Sequence, residues 1–173
     1  MIEIRNERKE DEQGIRQVIV AAGGGNPKDE AADLVELLRE RKKALISLVV
    51  VRDKTVVAHI MFSQVTIDVA PKDLLAVALA PLMVLPECQR QGIGSMLVRS
   101  GLDECRKADY DMAVVLGHPE YYPRFGFARA SNYSLGNEYG AEEAFMALEL
   151  KEGIFETVRG TVQFSPEFKE SGC

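Results

Sequence analysis

Apolar residues fall along this chain with a period of two in some stretches and of three to four in others. That alternation predicts a mixed α/β order. Ile2 and Ile4 stand between charges as a short first strand, and Ile15, Val18, Ile19 and Ala22 then recur at helical spacing. A triple glycine, Gly23 to Gly25, interrupts the chain. Asn26 is the expected cap of a second helix, with Pro27 at its first position and Asp29 and Glu30 in its first turn. Ala31, Leu34, Val35 and Leu38 give that helix one apolar face. From Ala44 to Val51 the residues are β-branched or apolar, Asp53 and Lys54 make a two-residue break, and Thr55 to Val69 is extended again, which predicts an antiparallel hairpin. Ile60 and Phe62 share one phase and Val65, Ile67 and Val69 the other, so a bulge is expected near Ser63.

Pro71 to Asp73 turns the chain into Leu74 to Leu85, a nearly uniform apolar run suited to a central strand covered on both faces. A helix over Gly92 to Ala108, a strand over Asp111 to Leu116 and a short helix within Pro119 to Phe125 follow. Ala144 to Leu150 and Thr161 to Phe164 read as the last strands. With no internal repeat and no linker, residues 1–168 read as one domain, and residues 169–173 as a frayed tail.

Composition narrows the function. The 173 residues, 46% hydrophobic, suffice for one sizeable core. Against 27 Asp and Glu stand 21 Lys and Arg, a net charge of −6 that disfavours nucleic acid as a partner. Leu74 to Leu85 is broken by Pro81 and falls short of the roughly 20 residues of a membrane helix, so no membrane association is expected. Met1 to Glu12 has no apolar signal-peptide core, which predicts a cytoplasmic protein. The three cysteines, Cys88, Cys105 and Cys173, suit neither a disulfide framework nor a metal clip and read as reduced thiols. The two histidines, His59 and His118, are scattered, so no metal is expected.

The informative segment follows the central strand. Leu82-Met83-Val84-Leu85 leads through Pro86, Glu87 and Cys88 into Gln89, Arg90, Gln91, Gly92, Ile93, Gly94 and Ser95, where a helix begins. A strand, a glycine-bearing loop and a helix start together form an anion site, because unpaired N–H groups point outward there and the helix dipole adds partial positive charge. Gly92 and Gly94 let phosphate oxygens approach the backbone, and Arg90 or Ser95 can add a side-chain contact. On spacing alone, two glycines before a helix are more often turn or packing residues, and neither GxGxxG nor GK[ST] is present.

The whole phrase is more specific. Gln-x-x-Gly-x-Gly at Gln89 to Gly94, after a strand closing Val84-Leu85-Pro86, resembles the acetyl-CoA loop of the GNAT N-acetyltransferases. His118-Pro119-Glu120-Tyr121-Tyr122-Pro123-Arg124-Phe125-Gly126-Phe127 contains the Tyr-x-x-x-Gly-Phe element of the same family, with Tyr122 in the tyrosine position. The element order is also similar over roughly Ile2 to Leu150. Pro81 to Glu87 together with Leu116 to Tyr122 looks like the YhbS-like branch of that family.

The resemblance implies a single-domain GNAT fold, a mixed, splayed sheet flanked by helices, and transfer of an acetyl group from acetyl-CoA to a primary amine by direct attack in a ternary complex. It implies that the backbone of Met83, Val84 and Leu85 pairs with the pantetheine amides as an added strand. Gln89, Arg90, Gln91, Gly92, Ile93, Gly94 and Ser95 would hold the pyrophosphate. An N–H near Met83 or Val84 would face the developing oxyanion. Tyr122 would protonate the departing thiolate, with Tyr121 as the alternative. The strand Leu79 to Leu85 lacks the Glu that some relatives use as base. A remote carboxylate acting through water, His118, or no protein group remain open for that role. His118 beside Pro119 and His59 in the hairpin read as structural, Cys88 as a small packing residue, and Gly23 to Gly25 as a connector or an acceptor-site lid. The acceptor is a small-molecule or protein amine, and a homodimer is left open. The competing class is a non-catalytic acyl-CoA binding or sensing domain, and a third is phosphate-ligand binding without CoA.

Overall fold

A computed structural model describes all of residues 1–173. By its contacts the chain divides into two compact units, Met1–Phe62 with Pro81–Asp103 and Pro166–Cys173, and Ser63–Ala80 with Glu104–Ser165.

The first unit begins with β1 (Ile2–Asn6), α1 (Glu12–Ala22) and α2 (Glu30–Glu40), followed by the hairpin of β2 (Ala44–Arg52) and β3 (Thr55–Val69). β1 lies antiparallel to β2, from Ile2 opposite Arg52 to Asn6 opposite Leu48. The two-residue turn has φ of 49° at Asp53 and 67° at Lys54, the left-handed pair that matches the twist of a tight hairpin. The second helix starts three residues later than the Asn26-Pro27 signal suggests. Asp29 is its cap, accepting from the N–H groups of Ala31 and Ala32, while Asn26 closes a local turn by accepting from Lys28 N–H. That shift puts Ala32, rather than Ala31, on the buried face with Leu34, Val35 and Leu38.

α3 (Ile93–Lys107) packs on β3 through Gly101, where an added Cβ would lie 2.5 Å from Phe62 Cε2. His59 lies in the opposite phase to Ile60 and Phe62 on β3 and meets Ser47 of β2. The end of the chain, expected to fray, carries a short helix, α4 (Glu167–Glu170). Its Glu167 is buried and bonded to Lys43 at 2.9 Å and Arg41 at 3.3 Å, and Cys173 N–H donates to Phe168 O.

In the second unit the first part of β4 (Ala76–Val84) runs parallel to β5 (Met112–Leu116). Their ladder covers only Ala76 to Ala78 against Met112 to Val114, although β4 runs on to Val84 and β5 to Leu116. β8 (Phe145–Glu149) lies antiparallel to β5 along its full length, and β6 (Ala128–Arg129) pairs with β8. β9 (Arg159–Phe164) pairs antiparallel with the second part of β3 and parallel with β7 (Leu135–Asn137).

The register of β3 against β9 shifts between Ile67 and Val69, four to six residues beyond the Ser63 position that the phase change suggests. There the Asp68 carboxylate accepts from Thr161 N–H at 2.8 Å, and Gly160, at φ 101°, makes room for it. Asp111 ties three strand ends together. Its carboxylate takes Leu75 N–H at 2.7 Å and Lys151 Nζ at 3.0 Å, while its carbonyl accepts from Leu150 N–H.

Candidate active site

The first unit carries the strand, loop and helix phrase. Ala76 to Leu79 of β4 are buried, whereas Leu82, Met83, Val84 and Leu85 are only half-buried, so the strand emerges toward its C-terminal end. Leu85 N–H donates to Val57 O at 2.9 Å, which holds that end to β3. A 3₁₀ turn over Pro86–Cys88 then places the Cys88 side chain in the interior. Gln89 and Gln91 brace the loop from within. Gln89 Nε2 donates to Val84 O at 3.0 Å and Gln91 Nε2 to Glu87 O at 3.2 Å, while Arg52 donates to Gln91 Oε1 at 3.1 Å.

Between these braces the backbone alternates into the left-handed region, with φ of 60° at Arg90 and 82° at Gly92. Such alternation turns successive N–H groups toward one side, which is the geometry of an anion cradle. Met96 N–H to Gly92 O, at 3.0 Å, is the first bond of α3. The N–H groups of Gly92, Ile93 and Gly94 therefore head the helix with no carbonyl four residues back to receive them. An added Cβ at Gly92 would meet nothing within 4 Å, so the loop is uncovered at that glycine. Arg90 and Gln91 are exposed beside it, Ser95 is half-buried, and Ile93 anchors the loop in the core. Unpaired amides, a helix N-terminus and a neighbouring guanidinium make a donor set that fits a phosphate or pyrophosphate.

The second unit carries the tyrosine element. β5 ends at Leu116, Gly117 N–H donates to Ala144 O at 2.9 Å, and the carbonyl of His118 accepts from Tyr121 and Tyr122 N–H at 3.0 and 3.4 Å. The helix expected within Pro119 to Phe125 is a 3₁₀ turn over Tyr122–Phe125, closed by Gly126 at φ 99°. Tyr122 is 7% exposed, with its ring edge-on to Tyr121 at 5.1 Å and to Phe127 at 5.8 Å. Burial pushes its phenol up to about 12. Tyr121 is half-buried, and the Arg124 guanidinium lies 4.5 Å over its ring. His118 and Glu120 are exposed.

Two features lay outside the sequence reading. Gly117 sits directly against the Tyr122 ring, and an added Cβ there would overlap Cε2; the local signal is a glycine at a strand end just before His118-Pro119. The second feature is a polar chain around the buried His59. Its Nε2 lies 2.8 Å from Ser47 Oγ and 3.9 Å from Glu7, and Glu7 takes a two-point bond from Arg39 at 2.9 and 3.0 Å. Glu7 and Arg39 are far apart in sequence, and no local pattern pairs them. No three His, Cys, Asp or Glu side chains come together in a metal-binding arrangement, and no helix is long and apolar enough to cross a membrane.

Comparison with known proteins gives the class to which the chain belongs. Residues 3–130 match the family described as acetyltransferase (GNAT) domain, and the chain belongs to that family. It is 36% identical over 142 residues to the uncharacterized N-acetyltransferase YhbS of Escherichia coli, covering 81% of this chain and 84% of that protein. To the uncharacterized N-acetyltransferase YjhQ of Escherichia coli it is 38% identical over 121 residues, 69% of this chain and 65% of that protein. The crystal structure of YhbS in complex with CoA superposes with a TM-score of 0.90 at 31% identity, covering 97% of this chain and 92% of that one. A GNAT family acetyltransferase from Brucella melitensis in complex with acetyl-CoA gives a TM-score of 0.78 at 35% identity, over 97% and 98% of the two chains.

Proposed function

We propose that this N-acetyltransferase moves an acetyl group from acetyl-CoA to a primary amine by direct attack in a ternary complex. The observation that carries this reading is the cradle of Arg90 and Gly92 at the head of α3, open in front of Gly92. The complexes of two relatives with CoA and acetyl-CoA support it.

In this reading the cradle from Gln89 to Ser95 holds the pyrophosphate. Arg90 and the amides of Gln91, Gly92, Ile93 and Gly94 supply charge and donors, while the Gln89 amide acts indirectly by fixing the end of β4 through Val84 O. The backbone of Met83, Val84 and Leu85 pairs with the pantetheine amides, consistent with the release of β4 from its β5 ladder after Ala78. The amine nitrogen attacks the thioester carbonyl carbon, and an N–H of Met83 or Val84 stabilises the oxyanion. As the carbon–sulfur bond breaks, the Tyr122 hydroxyl gives its proton to sulfur. The proton released by the amine returns through solvent to the phenolate, which closes the balance. A phenol pushed up to about 12 stays protonated at neutral pH, as a proton donor must. Shielding from water also raises the basicity of a departing thiolate, so the donor and acceptor shift in the same direction.

The acceptor amine belongs to a small molecule or a protein. Three cysteines without disulfide partners suit a reducing, cytoplasmic compartment. Incubation with acetyl-CoA and a panel of amines, reading free thiol, tests the proposal. Amine-dependent thiol release is expected. Tight acetyl-CoA binding with no release across the panel would instead indicate a sensor.

A further inference from the structure

We propose that Gly117 is a positioning residue for this reaction: the missing side chain at the end of β5 forms the slot that sets where the Tyr122 phenol points. The inference rests on the reading of Tyr122 as the proton donor.

Gly117 is not among the glycines with positive φ, so its backbone is one that any L residue can adopt. The requirement for glycine comes from the ring alone. An added Cβ would overlap Tyr122 Cε2 and would lie 2.9 Å from Cδ2 and 3.3 Å from Cζ, closer than atoms in contact tolerate. Neither side can easily retreat. The backbone of Gly117 is pinned by its N–H bond to Ala144 O at 2.9 Å, and the Tyr122 backbone is held by His118 O. Tyr121 at 5.1 Å and Phe127 at 5.8 Å flank the ring edge-on, and Phe127 is itself buried. A methyl at position 117 therefore displaces the ring, and the hydroxyl, at its far end, moves most. Because the acid must meet sulfur within hydrogen-bond reach, a displacement of about 1 Å can cost on the order of 100-fold in rate.

The test is a cycle of four proteins, wild type, Gly117→Ala, Tyr122→Phe and the double variant, assayed for thiol release with the most reactive amine of the panel. Gly117→Ala is expected to lower kcat about 10- to 100-fold while leaving acetyl-CoA affinity within about 2-fold. In the Tyr122→Phe background the same substitution should cost little more, because the hydroxyl it misplaces is gone. Gly136→Ala, at a glycine with nothing within 4 Å of an added Cβ, is the control and should keep full turnover.

An unchanged kcat in Gly117→Ala while Tyr122→Phe is impaired overturns the positioning role and leaves the donor reading standing. Equal losses in both backgrounds overturn it too, since the effect then bypasses the phenol. Full turnover in Tyr122→Phe, or a wild type that releases no thiol, removes the donor reading and this inference with it. Should Gly117→Ala fail to fold, Gly117→Ala combined with Tyr122→Leu, which clears the ring, is expected to fold; its failure would show that the ring is not what the methyl meets.

Discussion

At the scale of single residues, burial sets the chemistry of Tyr122 and of His59 in different ways. If the Tyr122 phenol donates a proton only as the carbon–sulfur bond breaks, Tyr122→Phe should lower kcat by about 10²- to 10⁴-fold and leave the acetyl-CoA dissociation constant nearly unchanged. Tyr121→Phe, the matched control, should keep turnover. Kinetics with calorimetry on both variants checks this, and the reverse pattern would move the role to Tyr121. His59 is fully buried, and loss of hydration drives its imidazole down to about 4, against the opposing pull of Glu7 at 3.9 Å. The unfolded chain binds a proton near 6.5 and the folded one does not, so stability falls as pH drops from about 6.5 to about 4, by a total on the order of 3 kcal/mol. Glu7 is also lowered, its burial outweighed by Arg39, and adds acid sensitivity below its ordinary range. Thermal unfolding from pH 7.5 to 4.5 should show a slope that flattens in His59→Gln.

At the scale of elements, the loop before α3 is the part whose backbone form was most legible in the sequence. Glycines and an apolar strand are enough to place a helix N-terminus there, because both constraints are local. What spacing could not convey is the division of labour. Gln89 and Gln91 spend their side-chain amides on Val84 O and Glu87 O, and the left-handed turn falls on Arg90 as well as Gly92. The same limit explains the start of α2. Asn26 and Pro27 make a plausible cap, but Asp29 competes for it with two N–H acceptances, and only the three-dimensional path decides between them. The register shift at Ile67 to Val69 depends on Gly160, nearly a hundred residues away, and so had no signature within the strand itself. Gly92 sits at φ 82°, so a side chain there is strained even though an added Cβ meets nothing; Gly92→Asp should melt about 2 to 8 °C lower and weaken acetyl-CoA binding at least about 10-fold, its carboxylate repelling the phosphates. Gly92→Asn, similar in shape and neutral, should weaken it far less. Calorimetry on the pair separates charge from bulk.

At the scale of the whole molecule, order of elements and family membership were readable because they rest on periodicity and on two motifs over most of the chain. The networks of Glu7 with Arg39 and of Glu167 with Arg41 and Lys43 were not, since their members are joined only by folding. The left-handed residues also have a consequence for how such a protein can change over generations. A side chain at positive φ costs roughly 1–2 kcal/mol that glycine avoids, partly offset by the greater freedom of glycine in the unfolded chain. Lys54→Gly in the hairpin turn should therefore raise the melting temperature by about 1 to 2 °C without affecting ligand binding. Arg90→Gly should raise it by a similar amount while lowering acetyl-CoA affinity, since the guanidinium beside the cradle is lost. Scanning calorimetry and titration on the two variants would show the contrast. At position 54 a hardier fold carries no penalty, whereas at position 90 selection for durability and selection for capture of the donor pull in opposite directions.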